Sequence, residues 1–314
     1  MLLFLIPNLL TSMQTTFDNL PPHLVTLLAE LTQKIAGAIQ PEKILCYGYR
    51  ASPHNDWSCF TEDSPHQETI RATFDLLVIT NNNNNLADHE LLQKINHLAE
   101  PLDCEVTAIV QSLDSVNDLI VKNSRFLTTL YHKAVLVYNA SNSDIIAPPA
   151  AISHEEATRK IETVWNNCYQ TAERFYKTAC FCLENDWNEK ALFDLHQATQ
   201  HTCMALLRVY TGYRSTTHNL FRLFALIENF SFVPSSIFPC ITSEEITLLN
   251  QLNKAYSDAR YKENYTVPTE TAILLKKRVK QLLLVAKELY DKKVTALQSN
   301  RPTTFPLTAT DAIA

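Results

Sequence analysis

The chain has 314 residues, of which 46% are hydrophobic and 19% are charged, with a formal net charge of −6. No apolar run approaches the ~20 residues that span a bilayer, which excludes an integral membrane protein and predicts no membrane partner. The acidic balance argues against broad affinity for a phosphate backbone, and three glycines are too few for a Gly-rich phosphate loop or a dinucleotide-binding turn. The eight cysteines show no C-x-x-C spacing, so we expect reduced residues in a cytoplasmic protein.

The first half of the chain predicts alternating helices and strands. The apolar opening lacks the basic residues of a signal peptide, so we expect residues 1–19 to be an extension that packs on the core or precedes a start at Met13. Apolar spacing then predicts these elements in chain order: a helix over 20–39 that ends near Gly37, a strand over 43–49 with a tight turn at Gly48, a strand over 74–80, a helix over 87–100, and strands over 104–112 and 132–140.

The second half has long helical periods and few strand signals. It predicts helices over 155–184, 187–211, 217–230, 243–260 and 269–297. The polar and Pro-bearing stretch 141–150 separates the halves, so we place an α/β domain at 20–145, an all-α up-and-down bundle at 151–297 and a disordered tail at 298–314. The predicted fold class is α+β.

Gly48, Asp75 and Glu105 lie on or beside three successive predicted strands. This arrangement resembles the nucleotidyltransferase fold of the minimal and kanamycin-nucleotidyltransferase-like families. The resemblance implies a phosphate-holding turn at Gly48, Tyr49 and Arg50. It also implies strand carboxylates that hold Mg²⁺, a hard cation that takes oxygen ligands.

The acidic signature of that fold is incomplete in this sequence. Thr73 stands where the first acid of an Asp-x-Asp pair belongs, which leaves Asp75 and Glu105 as the candidate catalytic and metal-binding residues. We therefore expect nucleotidyl transfer to be lost, unless Glu62 or Asp63 from the intervening loop completes the site. The alternative is that Asp75 is a strand-end carboxylate that accepts backbone hydrogen bonds.

Three marks in the second half occur in order: LHQATQHTCMALL at 195–207, THNLFRL at 217–223 and YSDARYKENY at 256–265. Over residues ~155–295 they resemble the HEPN domain, a nucleotide-binding helical bundle often fused to a minimal nucleotidyltransferase. The resemblance implies a bacterial-type protein that binds a nucleotide or RNA in defence or stress regulation.

The candidate binding residues of this half are His196, Arg214, Tyr261 and Tyr265, with Arg260 and His218 as candidate catalytic groups. Arg260 would grip a phosphate, tyrosines would stack on a base, and His218, placed at the start of a helix capped by a preceding threonine, would act as an acid or base. Pairing of Arg260 with Asp258 or Glu263 is the structural alternative. His196 and His201 should lie at the margins of the buried stripe of their helix, and we predict no zinc there.

HEPN ribonucleases use an arginine followed a few residues later by a histidine. Tyr265 stands where that histidine belongs after Arg260, and a phenol with a pKa of ~10 is a poor base. RNA cleavage is therefore expected to be lost, with the closer pair Arg214 and His218 as the only substitute.

We thus predict a nucleotide- or RNA-binding protein with an inactive nucleotidyltransferase-like domain, the two sets of residues lining one cleft. The alternatives are an active nucleotidyltransferase, a metal-independent ribonuclease that uses His218, and a non-catalytic scaffold that forms a homodimer through its helical half.

Overall fold

The computed structural model describes residues 13–18, 20–55, 68–82, 86–140, 145–148 and 154–299. The loop acids Glu62 and Asp63 and the tail beyond Ser299 lie outside the described residues. The chain divides into two compact units. The first comprises residues 1–151 with the short segments 211–213 and 228–230, and the second comprises the remainder. Within the described ranges, no helix combines the length and apolar character needed to cross a membrane.

The first unit is built on a four-stranded sheet in the order β3-β2-β1-β4. The strands are β1 (Lys43–Asn55), β2 (Glu68–Thr80), β3 (Cys104–Ser112) and β4 (Val135–Asn139). β1 pairs antiparallel with β2 and β4, and β2 pairs parallel with β3. The N-terminal segment adds a single bridge from Gln14 to Val135.

Helices cover both faces of this sheet. They are α1 (Pro22–Ile39), α2 (Asp88–Ala99), α3 (Leu113–Val121) and α4 (Arg125–Lys133). On one face, Phe74 and Leu76 of β2 join Leu31 of α1 and Ile95 of α2 in a continuous apolar core. Alternate residues of a strand point to opposite faces. Leu77 therefore packs on the other side, against α3 and α4.

The first unit agrees with the sequence-based expectations at the end of α1 and differs from them at other points. Helix α1 ends at Ile39, the end of the predicted range 20–39, where Gln40 adopts the left-handed conformation (φ 52°). β1 runs through Gly48 with a bulge between Cys46 and Gly48, where a turn was predicted. Helices α3 and α4 were not predicted, although Ser112 and Ser124 accept hydrogen bonds from their first turns as N-caps.

Glycine is required at position 48 by close packing. A Cβ added there would lie 2.6 Å from Asp75 Oδ2 and would also collide with the amide nitrogen of Asn229, one of the later residues that belong to the first unit. Any side chain would therefore displace the carboxylate that faces Gly48 across the sheet. The sequence signal that suggested a turn reflects this contact instead.

The second unit is a helical bundle around a central helix. Its helices are α5 (His154–Glu184), α6 (Asn188–Tyr210), α7 (Leu220–Ile227), α8 (Val233–Ser236), α9 (Ser243–Tyr261) and α10 (Thr269–Ser299). α6 packs against α5, α7, α9 and α10, so it is buried on nearly every side, including His196, which was expected at the margin. The α+β class and the long helices are confirmed. α7 begins later than expected because the side chain of Asn219 accepts from the backbone N–H of Arg222 and caps it.

Candidate functional site

Five polar side chains of the second unit meet where α6, the turn before α7 and α9 come together. We call them the His218 cluster: His196, Gln200, His218, Tyr256 and Arg260. The imidazole of His218 stacks on the ring of Tyr256 with 4.0 Å between centroids, and the guanidinium carbon of Arg260 lies 4.1 Å from the same ring. His218 and Arg260 are both exposed. The cluster therefore presents a guanidinium and an imidazole to solvent, next to the buried side chain of His196.

The hydrogen bonds of His218 determine its tautomer. Gln200 Oε1 lies 3.0 Å from His218 Nδ1 and can only accept, so Nδ1 carries the hydrogen. The amide nitrogen of Gln200 faces Met204 Sδ at 3.7 Å, which agrees with this orientation. His218 Nε2 then bears the lone pair and accepts from the Tyr256 hydroxyl at 3.2 Å. The lone pair of His218 is thus on Nε2, the nitrogen that faces the Tyr256 hydroxyl.

His196 supports the turn that carries His218. Its Nε2 donates to the backbone carbonyl of His218 at 3.0 Å, and its Nδ1 accepts from the Gln197 side chain at 3.3 Å. The side chain is fully buried, and this burial lowers the pKa of His196 to about 4. His196 is therefore neutral near pH 7 and acts as a positioning residue.

Arg260 is oriented by its own helix. Its Nε donates to the Tyr256 carbonyl at 2.8 Å, and its guanidinium carbon lies 4.9 Å from the ring of Tyr261. No salt bridge joins Arg260 to a carboxylate in the described part of the chain; Asp258 Oδ2 lies 4.0 Å from Lys262 Nζ. Partial burial, and then the charge of Arg260, lower the pKa of His218. At neutral pH the cluster carries one fixed positive charge beside a neutral imidazole.

The comparison with known families identifies this part of the chain. Residues 165–297, which contain every member of the His218 cluster, match the HEPN domain family. The second unit carries a HEPN domain. The HEPN resemblance expected over ~155–295 is thereby supported for residues 165–297. A search of proteins with curated function gave no match to the chain.

The remaining predicted residues of the HEPN domain lie around the cluster or away from it. Tyr261 is 76% exposed beside Arg260, so its ring can stack on a base. Arg214 is exposed in the segment that precedes His218. Tyr265 instead lines a groove on another side of α9. Burial and nearby carboxylates raise the pKa of Tyr265 to about 12, so it is no base at neutral pH.

Gln200 and Tyr256 are the cluster residues that the sequence analysis did not select. Helical spacing provides a signal for both, because Gln200 follows His196 by one turn on α6 and Tyr256 precedes Arg260 by one turn on α9. Residues at this spacing share a helix face, so a candidate histidine or arginine draws attention to its neighbours one turn away.

In the first unit, Asp75 is fully buried and paired with Arg50. Asp75 Oδ2 lies 2.7 Å from Arg50 Nη1, and the same oxygen accepts from the Asn229 side chain at 2.7 Å. Arg50 also reaches the Thr107 hydroxyl at 3.4 Å. Burial raises the pKa of Asp75, whereas the charge of Arg50 opposes that rise. The partners of Asp75 are therefore side chains, not the backbone groups that the alternative interpretation required.

Glu105 lies on the same sheet face as Asp75 but one register step away, since it pairs with Thr73 while Asp75 pairs with Thr107. Glu105 is exposed. Two hard cations need several oxygen ligands. One oxygen of Asp75 already contacts a guanidinium, and the described residues contain no group of three His, Cys, Asp or Glu side chains placed to hold a metal. These residues do not fit a two-cation centre.

Proposed function

We propose that the HEPN domain binds the phosphate group of a nucleotide or an RNA end at the His218 cluster. The observation that carries this proposal is Arg260, an exposed guanidinium that its own helix orients and that no described carboxylate neutralises. A guanidinium held in this way loses little freedom when it forms paired hydrogen bonds with phosphate oxygens. Tyr261 supplies a neighbouring ring on which a base can stack.

His218 adds selectivity for an anion. Its pKa is lowered in the free protein by partial burial and by Arg260. A bound phosphate cancels part of the Arg260 charge and favours the imidazolium, so binding takes up a proton. We therefore expect affinity to rise as the pH falls from neutral towards the lowered pKa of His218.

The test is calorimetric titration of the full chain with ATP, GTP and a short RNA that carries a terminal phosphate, with and without magnesium. Arg260→Gln should weaken binding about tenfold or more, since a charge-assisted hydrogen bond contributes about 1.5–3 kcal/mol. Arg174→Gln is the matched control, because Arg174 is an exposed arginine on α5. The proposal would be contradicted if none of the ligands bound, or if both variants lost the same amount of affinity.

A second candidate function for the same cluster is metal-independent RNA cleavage. It is favoured by the tautomer of His218, whose Gln200 contact leaves Nε2 unprotonated as a general base requires. The base would take the proton of a 2′-hydroxyl, whose oxygen bonds to the adjacent phosphorus as the P–O5′ bond breaks. The departing 5′-oxygen takes a proton from water or from the protonated His218, and Arg260 stabilises the charge on the phosphate. Labelled structured RNA should then be cut in EDTA, and cleavage should disappear in His218→Gln but persist in Arg174→Gln. Absence of cleavage by the unaltered chain would leave binding as the only function of the cluster.

For the first unit we infer a nucleotidyltransferase-like domain that no longer transfers nucleotides. The inference is supported by Arg50, which contacts the carboxylate that a catalytic cation would need, and by Thr73 in place of an acid. Incubation with radiolabelled ATP and magnesium should leave no label on protein or RNA acceptors. Incorporation that disappears in Asp75→Asn would refute this inference.

A further inference from the structure

A second concave site lies on the side of α9 away from Arg260. Its volume is about 430 Å³. We call it the Tyr265 groove; its polar lining includes Asn250, Gln251, Lys254, Lys262, Asn264 and Tyr265. Successive helix residues are separated by ~100°, so Gln251 and Lys254 project roughly 120–180° away from Tyr256 and Arg260. The groove is therefore separate from the His218 cluster and independent of the function proposed for it.

The wall of the groove is fixed by contacts that need no ligand. The backbone N–H of Val267 donates to Glu189 Oε1 at 2.9 Å, and the Asn188 side chain donates to the Val267 carbonyl at 3.2 Å. Asn264 adopts a left-handed conformation (φ 56°) that turns the chain after α9 back towards the groove. Because this wall is already ordered without a ligand, ligand binding has a lower entropic cost.

The chemistry of the groove favours a small anion with a polar body. Lys254 and Lys262 bring two ammonium groups to the lining. Asp258 Oδ2 lies 4.0 Å from Lys262 Nζ, and the Glu189 carboxylate behind the wall accepts from the backbone N–H of Val267. The ammonium group of Lys254 has no salt-bridge partner among the described residues and is the cation available to an anion. Carboxamides beside them can donate to and accept from hydroxyl groups. Leu192 and Val267 give the groove an apolar floor. The volume falls within the ~300–1,000 Å³ of small-molecule sites.

We propose that the Tyr265 groove binds a small phosphomonoester, either a sugar phosphate or a mononucleotide. Lys254 and Lys262 hold the phosphate. Asn250, Gln251 and Asn264 contact the sugar hydroxyls. The hydroxyl of Tyr265, which stays protonated at neutral pH, serves as a neutral donor.

The experiment is isothermal titration of the full chain with AMP, ribose 5-phosphate and adenosine. At least one of the two phosphomonoesters should bind with a Kd below about 1 mM, and adenosine at least about tenfold more weakly. Lys254→Gln and Lys262→Gln should each weaken phosphomonoester binding about fivefold or more. Lys277→Gln, which changes an exposed lysine of α10, is the matched control and should bind normally.

Three results would overturn the proposal. One is the failure of both phosphomonoesters to bind, and another is adenosine binding as tightly as AMP. The third is loss of binding in Arg260→Gln with none in the lysine variants, which would assign the ligand to the His218 cluster. Thr247→Tyr provides a check that does not remove charge, because Thr247 is an exposed α9 residue that lines the groove. Its ring should block binding while the protein stays folded.

Discussion

Burial of His196 as a neutral side chain should make the HEPN domain sensitive to acid. The pKa of His196 falls from 6.5 to about 4 because burial disfavours its charged form. Between these values the unfolded chain binds more protons than the folded one, so stability falls as the pH falls through this window. The difference corresponds to about 3 kcal/mol once the pH is below both values, and to about 2 kcal/mol at pH 5.

This effect is isolated by comparing the free energy of unfolding of the unaltered protein with that of the His196→Gln variant at pH 8 and at pH 5. Glutamine keeps an N–H that can donate to the His218 carbonyl but cannot titrate. Urea unfolding of both proteins gives four free energies, and the loss between pH 8 and pH 5 should be about 2 kcal/mol smaller in the variant. His201 and His218 titrate in both proteins and cancel in the difference. Equal losses would refute the burial argument, as would an NMR titration that places the pKa of His196 near 6.5.

The other predictions concern packing, charge and capping. Gly48→Ala should lower the free energy of unfolding by about 1–3 kcal/mol through collision with Asp75, whereas Gly37→Ala, whose Cβ meets nothing within 4 Å, should leave it unchanged or raised. An unchanged free energy of unfolding in Gly48→Ala would disprove the close packing. Arg50→Met should cost about 3–5 kcal/mol by leaving the Asp75 carboxylate buried without its cation, and faster hydrogen exchange in β1 and β2 should report it. Thr242→Ala should cost about 1 kcal/mol by removing the N-cap of α9, measured by urea unfolding; an unchanged midpoint would show that the cap contributes nothing.

The local sequence pattern predicted an element correctly where a single physical cause determines that element. β3 has the predicted bounds, Cys104–Ser112, because alternation and β-branched residues mark a half-buried strand. The position of Gly48 was misjudged because a glycine can mean a turn or a close approach. Only the side chain that faces it across the sheet distinguishes the two.

Burial and contacts in the HEPN domain needed the tertiary structure. The prediction for His196 assumed an amphipathic helix with one buried stripe. Helix α6 instead has neighbours on nearly every side, so His196 is buried although it was expected at the margin of that stripe. His218 and Arg260 were each selected as candidate catalytic groups from a family resemblance. Helical spacing places Tyr256 one turn from Arg260, but its contact with His218 became visible only when the fold placed α9 beside the turn that carries His218.

In the first unit, a guanidinium neutralises the buried carboxylate that a divalent cation would otherwise bind. A cation at Asp75 would be limited to Oδ1, a buried oxygen that has no hydrogen-bond partner among the described residues. In this chain Arg50 lies 2.7 Å from Asp75 Oδ2, and Asn229 completes the coordination of that oxygen. Arg50 places a positive charge beside Asp75, so the carboxylate can be neutralised without a bound metal. The pair thus stabilises the strand while it weakens the case for phosphoryl chemistry, and it leaves the His218 cluster as the better-supported site for ligand binding.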